Sequence, residues 1–210
     1  MARKDSSAIV LAGGSGKRLR GQDKSLVEVL GTPMLRRVLD AVERVCEEVV
    51  VSVEGGEQRA RIEKLLGNAI VVHDILEDFG PLEGIRQACR AVTRPLAVVV
   101  ACDQPLLNAA FIGYLFSRIG SFDGVIPRWP DGNVEPLCSA FRTSALAKAV
   151  DEAVSMDMRR IMYALRPLKI RYVSTDELDN IDPGLYSLIN VNDEHDLRRA
   201  RIMASRKDRS

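Results

Sequence analysis

Apolar positions along this chain fall into two alternating rhythms. Short runs suited to strands lie at Ser7–Ala12, Glu48–Val53, Ala69–His73, Leu96–Ala101 and Gly124–Pro127, and two more follow at Glu135–Phe141 and Lys169–Val173. Between the early runs the spacing changes to a helical period. It predicts helices over Pro33–Val45, Glu57–Leu66, Glu83–Ala91 and Asn108–Arg118. In the first of these, Leu35, Val38, Leu39, Val42 and Val45 share one face, with Pro33 in the opening turn. Val98-Val99-Val100-Ala101 is continuous rather than alternating, the pattern of a central strand covered on both faces.

This β-α-β-α order predicts a three-layer α/β/α, Rossmann-like architecture with a mostly parallel sheet and right-handed crossovers. The Asp131-Gly132 turn within Arg128–Asn133 predicts that a small antiparallel insertion starts there. One domain is expected over residues 1–200. Residues 201–210 are charged, lack apolar periodicity and are expected to form a disordered tail. Ligands of open α/β sheets sit at the carboxyl ends of the strands. That rule singles out three loops: Gly13–Lys24, Asp74–Gly84 and Cys102–Leu107.

Composition then removes whole classes of function. The 210 residues are 46% hydrophobic, enough for a full core, and 30 basic residues nearly cancel 29 acidic ones. No global field draws the chain to nucleic acid or to an anionic membrane. No apolar run reaches the length of a membrane span, and the first strand-like run is too short for a signal peptide. Cys46, Cys89, Cys102 and Cys138 are scattered without a C-x-x-C pair, which argues against zinc and disulfides and suits a reducing cytoplasm. A soluble cytoplasmic protein is expected.

The first loop carries the clearest chemistry. The run Ala8–Ala12 breaks into Gly13-Gly14-Ser15-Gly16 and then into Lys17-Arg18. Glycines let backbone N–H groups approach a ligand, and cations neutralise phosphate. Two familiar phosphate motifs fail here. Aligning Gly16-Lys17 with a P-loop puts its first glycine at Leu11 and its Ser/Thr at Arg18, while the dinucleotide fingerprint puts its third glycine at Leu19. Arg18 offers a planar fork for phosphate and Lys24 a point charge that can fold back over it. Asp74 ends a strand before the rigid Gly80-Pro81-Leu82 turn, where a carboxylate can accept two N–H donors or simply cap the turn. Asp103 follows the continuous strand and is placed to hold Mg²⁺, a hard cation with oxygen ligands.

The stretch Leu11–Leu26, L-A-G-G-S-G-K-R-L-R-G-Q-D-K-S-L, resembles the signature L-A-G-G-x-x-x-R-M-G-x-x-D-K-x-L of the MobA-like nucleotidyltransferase family, which includes the molybdenum cofactor guanylyltransferases. Arg20 stands where the pattern has glycine. D-I-L-E-D-F-G-P-L-E-G from Asp74 to Gly84 is similar to the family's D-x(5–7)-G-P-L-x-G segment, and Cys102-Asp103-Gln104-Pro105 to its C-D-x-P. Glu135-Pro136-Leu137 resembles an [HQ]-P-L segment, with Glu135 replacing His or Gln, so no acceptor contact carries over there. Asn190-Val191-Asn192 resembles the closing N-x-N.

The resemblance implies a nucleotidyltransferase fold and a nucleotide-binding set of Leu11, Ala12, Gly13, Gly14, Lys24, Ser52, Asp74 and Asp103. It implies catalytic roles for Lys24, Arg18 and Asp103, with Asp103 holding Mg²⁺. Acceptor contacts fall on Gly80, Pro81, Leu82, Asn190 and Asn192, although Asn190 and Asn192 can equally serve only to organise their turn. The implied reaction transfers GMP from GTP to molybdopterin and releases pyrophosphate. Molybdoenzyme apoproteins or cofactor-insertion proteins are the implied partners. A CTP-dependent cytidylyltransferase on the same acceptor, or a non-catalytic nucleotide-binding delivery protein, stays open.

Overall fold

The computed structural model describes residues 3–13, 23–76 and 79–207. Gly14, Arg18 and Arg20 lie outside the described residues.

Seven strands form one sheet: β1 (Arg3–Leu11), β4 (Cys46–Val53), β5 (Ile70–His73), β6 (Leu96–Ala101), β7 (Gly124–Arg128), β8 (Cys138–Arg142) and β9 (Ile170–Ser174). Their order is β5-β4-β1-β6-β8-β7-β9. All run parallel except β8, which pairs antiparallel with both β6 and β7. The expected antiparallel element is therefore part of the main sheet. Its strand begins at Cys138 rather than Glu135, because Pro136 has no N–H to give a ladder. A separate hairpin joins β2 (Glu28–Val29) to β3 (Thr32–Pro33) through Leu30-Gly31, both at positive φ, the backbone a two-residue hairpin turn requires.

Side chains alternate across the two central strands. Ala8, Val10, Val98 and Val100 face one layer, where α1 (Met34–Glu43), α2 (Gly56–Ile62), α4 (Ala109–Ser117) and α7 (Thr175–Asp179) cover them. Ile9, Leu11, Ala97 and Val99 face the other, under α3 (Pro81–Ala91), α5 (Thr143–Ser155) and α6 (Ile161–Ala164). The continuous apolar run at Val98–Ala101 is explained by this double cover.

The carboxyl-terminal stretch corrects the expectation of a tail. Helix α8 runs Glu194–Lys207, across the boundary placed at residue 201. Leu197, Ala200 and Ala204, spaced on one helical face, pack with Val27, Val29, Met34 and Leu106 into a third cluster. Alanines form that stripe, so the surrounding arginines hide it in an apolarity count. Helix α5 escaped the sequence reading for a related reason: Ala149 and Ala153 supply part of its buried face.

Candidate active site

Parallel strands β1, β4, β5 and β6 end on the same edge, and their exits are stitched together by backbone hydrogen bonds. Cys102 N donates to Leu11 O (2.9 Å), Ala12 N to Ser52 O (2.9 Å) and Asp74 N to Val53 O (3.1 Å). β8 runs the other way, so the segment before it returns to this edge. Above the edge lies a cleft of about 480 Å³, to which all three sequence-selected loops contribute.

At its centre Lys24 Nζ donates to Asp103 Oδ2 (3.0 Å) and to Asn192 Oδ1 (2.7 Å). An ammonium has only donors, so the amide presents its oxygen. Val191 N donates to the Asp103 carbonyl (2.8 Å), which fixes the Asn190–Asn192 segment beside the end of β6. Lys24 opens a one-turn 3-10 helix, Lys24–Leu26, capped by Asp23, whose Oδ1 accepts from Ser25 N (3.1 Å) and Ser25 Oγ (2.5 Å).

One residue without a motif ties this arrangement together. Gln58 on α2 is buried, and its Nε2 donates to Ala12 O (2.9 Å) and Asp23 Oδ1 (3.3 Å), while its Oε1 accepts from Glu54 N (2.9 Å). It thereby joins the exit of β1, the exit of β4 and the turn that carries Lys24. No sequence signal marks it beyond a polar residue inside an amphipathic helix.

On one flank Ser52 Oγ donates to Asp74 Oδ1 (3.0 Å). Burial raises the Asp74 pKa, the Ser52 hydroxyl opposes that shift, and the Glu83 and Glu54 charges add to it. Glu83 is fully buried and accepts from Ile75 N (3.2 Å), Gln87 Nε2 (2.5 Å) and Arg86 (3.3 Å), so it pins the chain after Asp74 to the first turn of α3. Gly80 turns at φ +56° just before Pro81 starts that helix. Gly84 lets α3 sit close: a Cβ there would lie 2.9 Å from Ser52 Oγ and 3.0 Å from Leu11 Cδ2.

On the other flank Glu135 lines the cleft, and its Oε1 accepts from Trp129 Nε1 (2.9 Å). Burial raises its pKa against the indole hydrogen bond. Cys102 is buried with its thiol pKa pushed up, which makes it packing and not a nucleophile.

Of the residues named from sequence, Leu11, Gly13, Lys24, Ser52, Asp74 and Asp103 line this one cleft with Gly80, Pro81, Asn190 and Asn192. Ala12 is buried beneath it and works through its backbone. Leu82 is corrected: it is fully buried and packs with Ile85 and Ala88 in the core, which removes it from the acceptor contacts. Its place in the motif reflects packing of α3. Asp193 caps α8 by accepting from Asp196 N (2.9 Å). Asp103 spends one oxygen on Lys24, and its Oδ1 has no hydrogen-bond partner among the described residues. That open oxygen, lining a cleft large enough for a nucleotide, fits a Mg²⁺ ion held mainly by the nucleotide's own oxygens.

Fold and cleft together define a nucleotidyltransferase. The family model of the MobA-like NTP transferase domain matches residues 8–169, and the chain belongs to that family. It is 33% identical over 199 residues to a protein of Natronomonas pharaonis named probable molybdenum cofactor guanylyltransferase, covering 94% of this chain and 97% of that one. It is 29% identical to the molybdenum cofactor guanylyltransferase of Desulfosudis oleivorans, covering 92% and 93%. Among solved structures, molybdopterin-guanine dinucleotide biosynthesis protein A of Archaeoglobus fulgidus superposes with a TM-score of 0.81 at 27% identity, over 96% of this chain and 99% of that one.

Proposed function

We propose that this enzyme transfers GMP from GTP to the terminal phosphate of molybdopterin in the cytoplasm, forming the guanine dinucleotide cofactor and releasing pyrophosphate. The observation that carries this reading is the Lys24–Asp103–Asn192 centre set beside the Ser52–Asp74 pair in one cleft. The names of the relatives support the acceptor and the base.

An oxygen of the acceptor phosphate attacks the α-phosphorus of GTP. The new P–O bond forms as the bond to the bridging oxygen of the β-phosphate breaks, and pyrophosphate leaves with that electron pair. The nucleophile is already an anion, so no Ser, His or Cys needs to activate it. What the chain supplies is position and charge. Lys24, swung from Asp103 onto the triphosphate, stabilises charge on the α-phosphate and the leaving group. Asp103 would hold Mg²⁺, which when bound would neutralise charge on the triphosphate. Ionised Asp74 accepts the N1–H and 2-amino donors of guanine. Cytosine presents a lone pair at the corresponding ring nitrogen, which a carboxylate repels, and this favours GTP over CTP. The product passes to molybdoenzyme apoproteins or to proteins that insert the cofactor.

Pyrophosphate release from GTP, CTP and ATP, each with and without molybdopterin and Mg²⁺, tests this reading. Release is expected from GTP alone and only with both molybdopterin and Mg²⁺. Equal release from CTP contradicts the base assignment, and nucleotide binding without release makes the chain a carrier instead.

A further inference from the structure

Glu135 occupies the catalytic cleft, yet the reaction as derived gives it no task. Its position follows from topology. Because β8 is antiparallel, the Glu135–Leu137 segment before it lies on the carboxyl edge with Asp74 and Asp103. Asp74 leaves β5 and Glu135 precedes β8, four places apart in the order β5-β4-β1-β6-β8. At about 4.8 Å per strand that is roughly 19 Å. The exits of β1 and β6, with Lys24 and Asp103 above them, fall between.

The two carboxylates share a design. Each is half-buried, and each has one oxygen held by one neutral donor: Ser52 Oγ at 3.0 Å on Asp74, Trp129 Nε1 at 2.9 Å on Glu135. Glu135 Oε2 has no hydrogen-bond partner, and no cation pairs with the group, among the described residues. A half-buried, unpaired carboxylate is costly unless a ligand brings donors to it. Pro136, Leu137 and Ile161 line the cleft beside it and offer apolar faces to a flat ring. Where the family pattern has His or Gln, which can donate, this chain places a group that, ionised, only accepts.

We infer that Glu135 is the recognition carboxylate of the acceptor side, accepting the paired ring N–H and 2-amino donors of the acceptor's 2-amino-4-oxo pterin ring. The cleft then reads the same hydrogen-bonding edge twice, guanine at Asp74 and pterin at Glu135, with phosphate transfer between. This inference rests on the acceptor proposed above, and the test separates the two.

Glu135→Gln keeps an oxygen for Trp129 and turns an NH₂ toward the ligand, so a purely structural role survives it. Glu135→Ala removes both functions. In GMP transfer by the full chain, both variants are expected to raise KM for molybdopterin about tenfold or more and to leave KM for GTP within about twofold. Titration with 6-hydroxymethylpterin and with the matching lumazine, whose 2-amino group is replaced by oxygen, needs no turnover. The unaltered chain is expected to prefer the pterin by about tenfold, and both variants to lose that preference. Wild-type activity that fails to appear with molybdopterin overturns the proposed reaction, while the titration still judges Glu135. Pterin and lumazine binding equally, no pterin binding, or an unchanged molybdopterin KM in the Gln variant overturns the inference.

Discussion

Replacing Gln58 by leucine isolates the contribution of positioning at this site. The change keeps the bulk of the side chain but deletes the donor to Ala12 O and Asp23 Oδ1 and the acceptor for Glu54 N. Buried Ala12 O is left with only the 3.8 Å Cys102 thiol contact, at about 1–3 kcal/mol, while Glu54 N belongs to an exposed residue, so water replaces its lost acceptor at little cost. A net loss of about 1–3 kcal/mol lies below the 5–15 kcal/mol typical of a domain, so the chain stays folded with Tm lowered by roughly 2–12 °C. The larger effect falls on catalysis. Freed from Gln58, Asp23 fixes the Lys24 turn less well, and kcat/KM for GTP is expected to fall about 10–100-fold, since each 1.4 kcal/mol of lost transition-state stabilisation is tenfold. The assay is steady-state pyrophosphate release with Gln58→Leu, Lys24→Ala and the double variant, each checked by thermal unfolding. If Gln58 acts through Lys24, the second change costs less than about threefold once Lys24 is gone. Additive losses, or unchanged kcat/KM in a destabilised Gln58→Leu, refute the argument.

Three other outcomes follow from the same geometry. Lys24→Ala and Asp103→Asn each lower turnover by about two orders of magnitude or more while circular dichroism and Tm stay near wild type, since both side chains sit at the cleft rather than in the core. Because the native pKa of Asp74 is raised, its contribution to stability is present below the ordinary carboxylate range and lost as pH rises through the native value. Asp74→Asn is therefore more stable than wild type at neutral pH, with the gap closing on acidification, yet its KM for GTP is at least about tenfold higher. In wild type the KM for GTP rises on acidification from a pH above the usual aspartate range, an acid limb absent from the variant. Gly84→Ala forces a Cβ against Ser52 Oγ and Leu11 Cδ2, costing about 1–3 kcal/mol in chemical denaturation and weakening GTP binding through the displaced Ser52.

Local pattern carried most of the scaffold. All seven strands of the main sheet overlap apolar runs, because each packs apolar side chains against a helical layer, only partly buried ones in edge strand β5, and β-branched residues dominate the central strands. Among the longer helices, α5 and the last turns of α8 escaped because alanines build part of their buried faces, where burial leaves little trace in hydropathy. The site divides in the same way. Lys24, Asp74 and Asp103 were legible because each sits at a strand exit or in a motif whose chemistry needs that residue type. Gln58 and Glu83 were not, since their partners lie 46 and 8 positions away in sequence and only folding brings them to bear. Leu82 misled for the opposite reason: it belongs to a functional motif but serves packing.

The proposed reaction requires attack at the α-phosphorus of GTP by the molybdopterin phosphate. Incubating the enzyme with molybdopterin, Mg²⁺ and GTP labelled at either the α- or the γ-phosphorus tests it directly. The α-label is expected in a dinucleotide of molybdopterin and guanosine, and the γ-label in pyrophosphate alone. Label from the γ-position in the acceptor, or α-label remaining in free GMP or GDP, contradicts it.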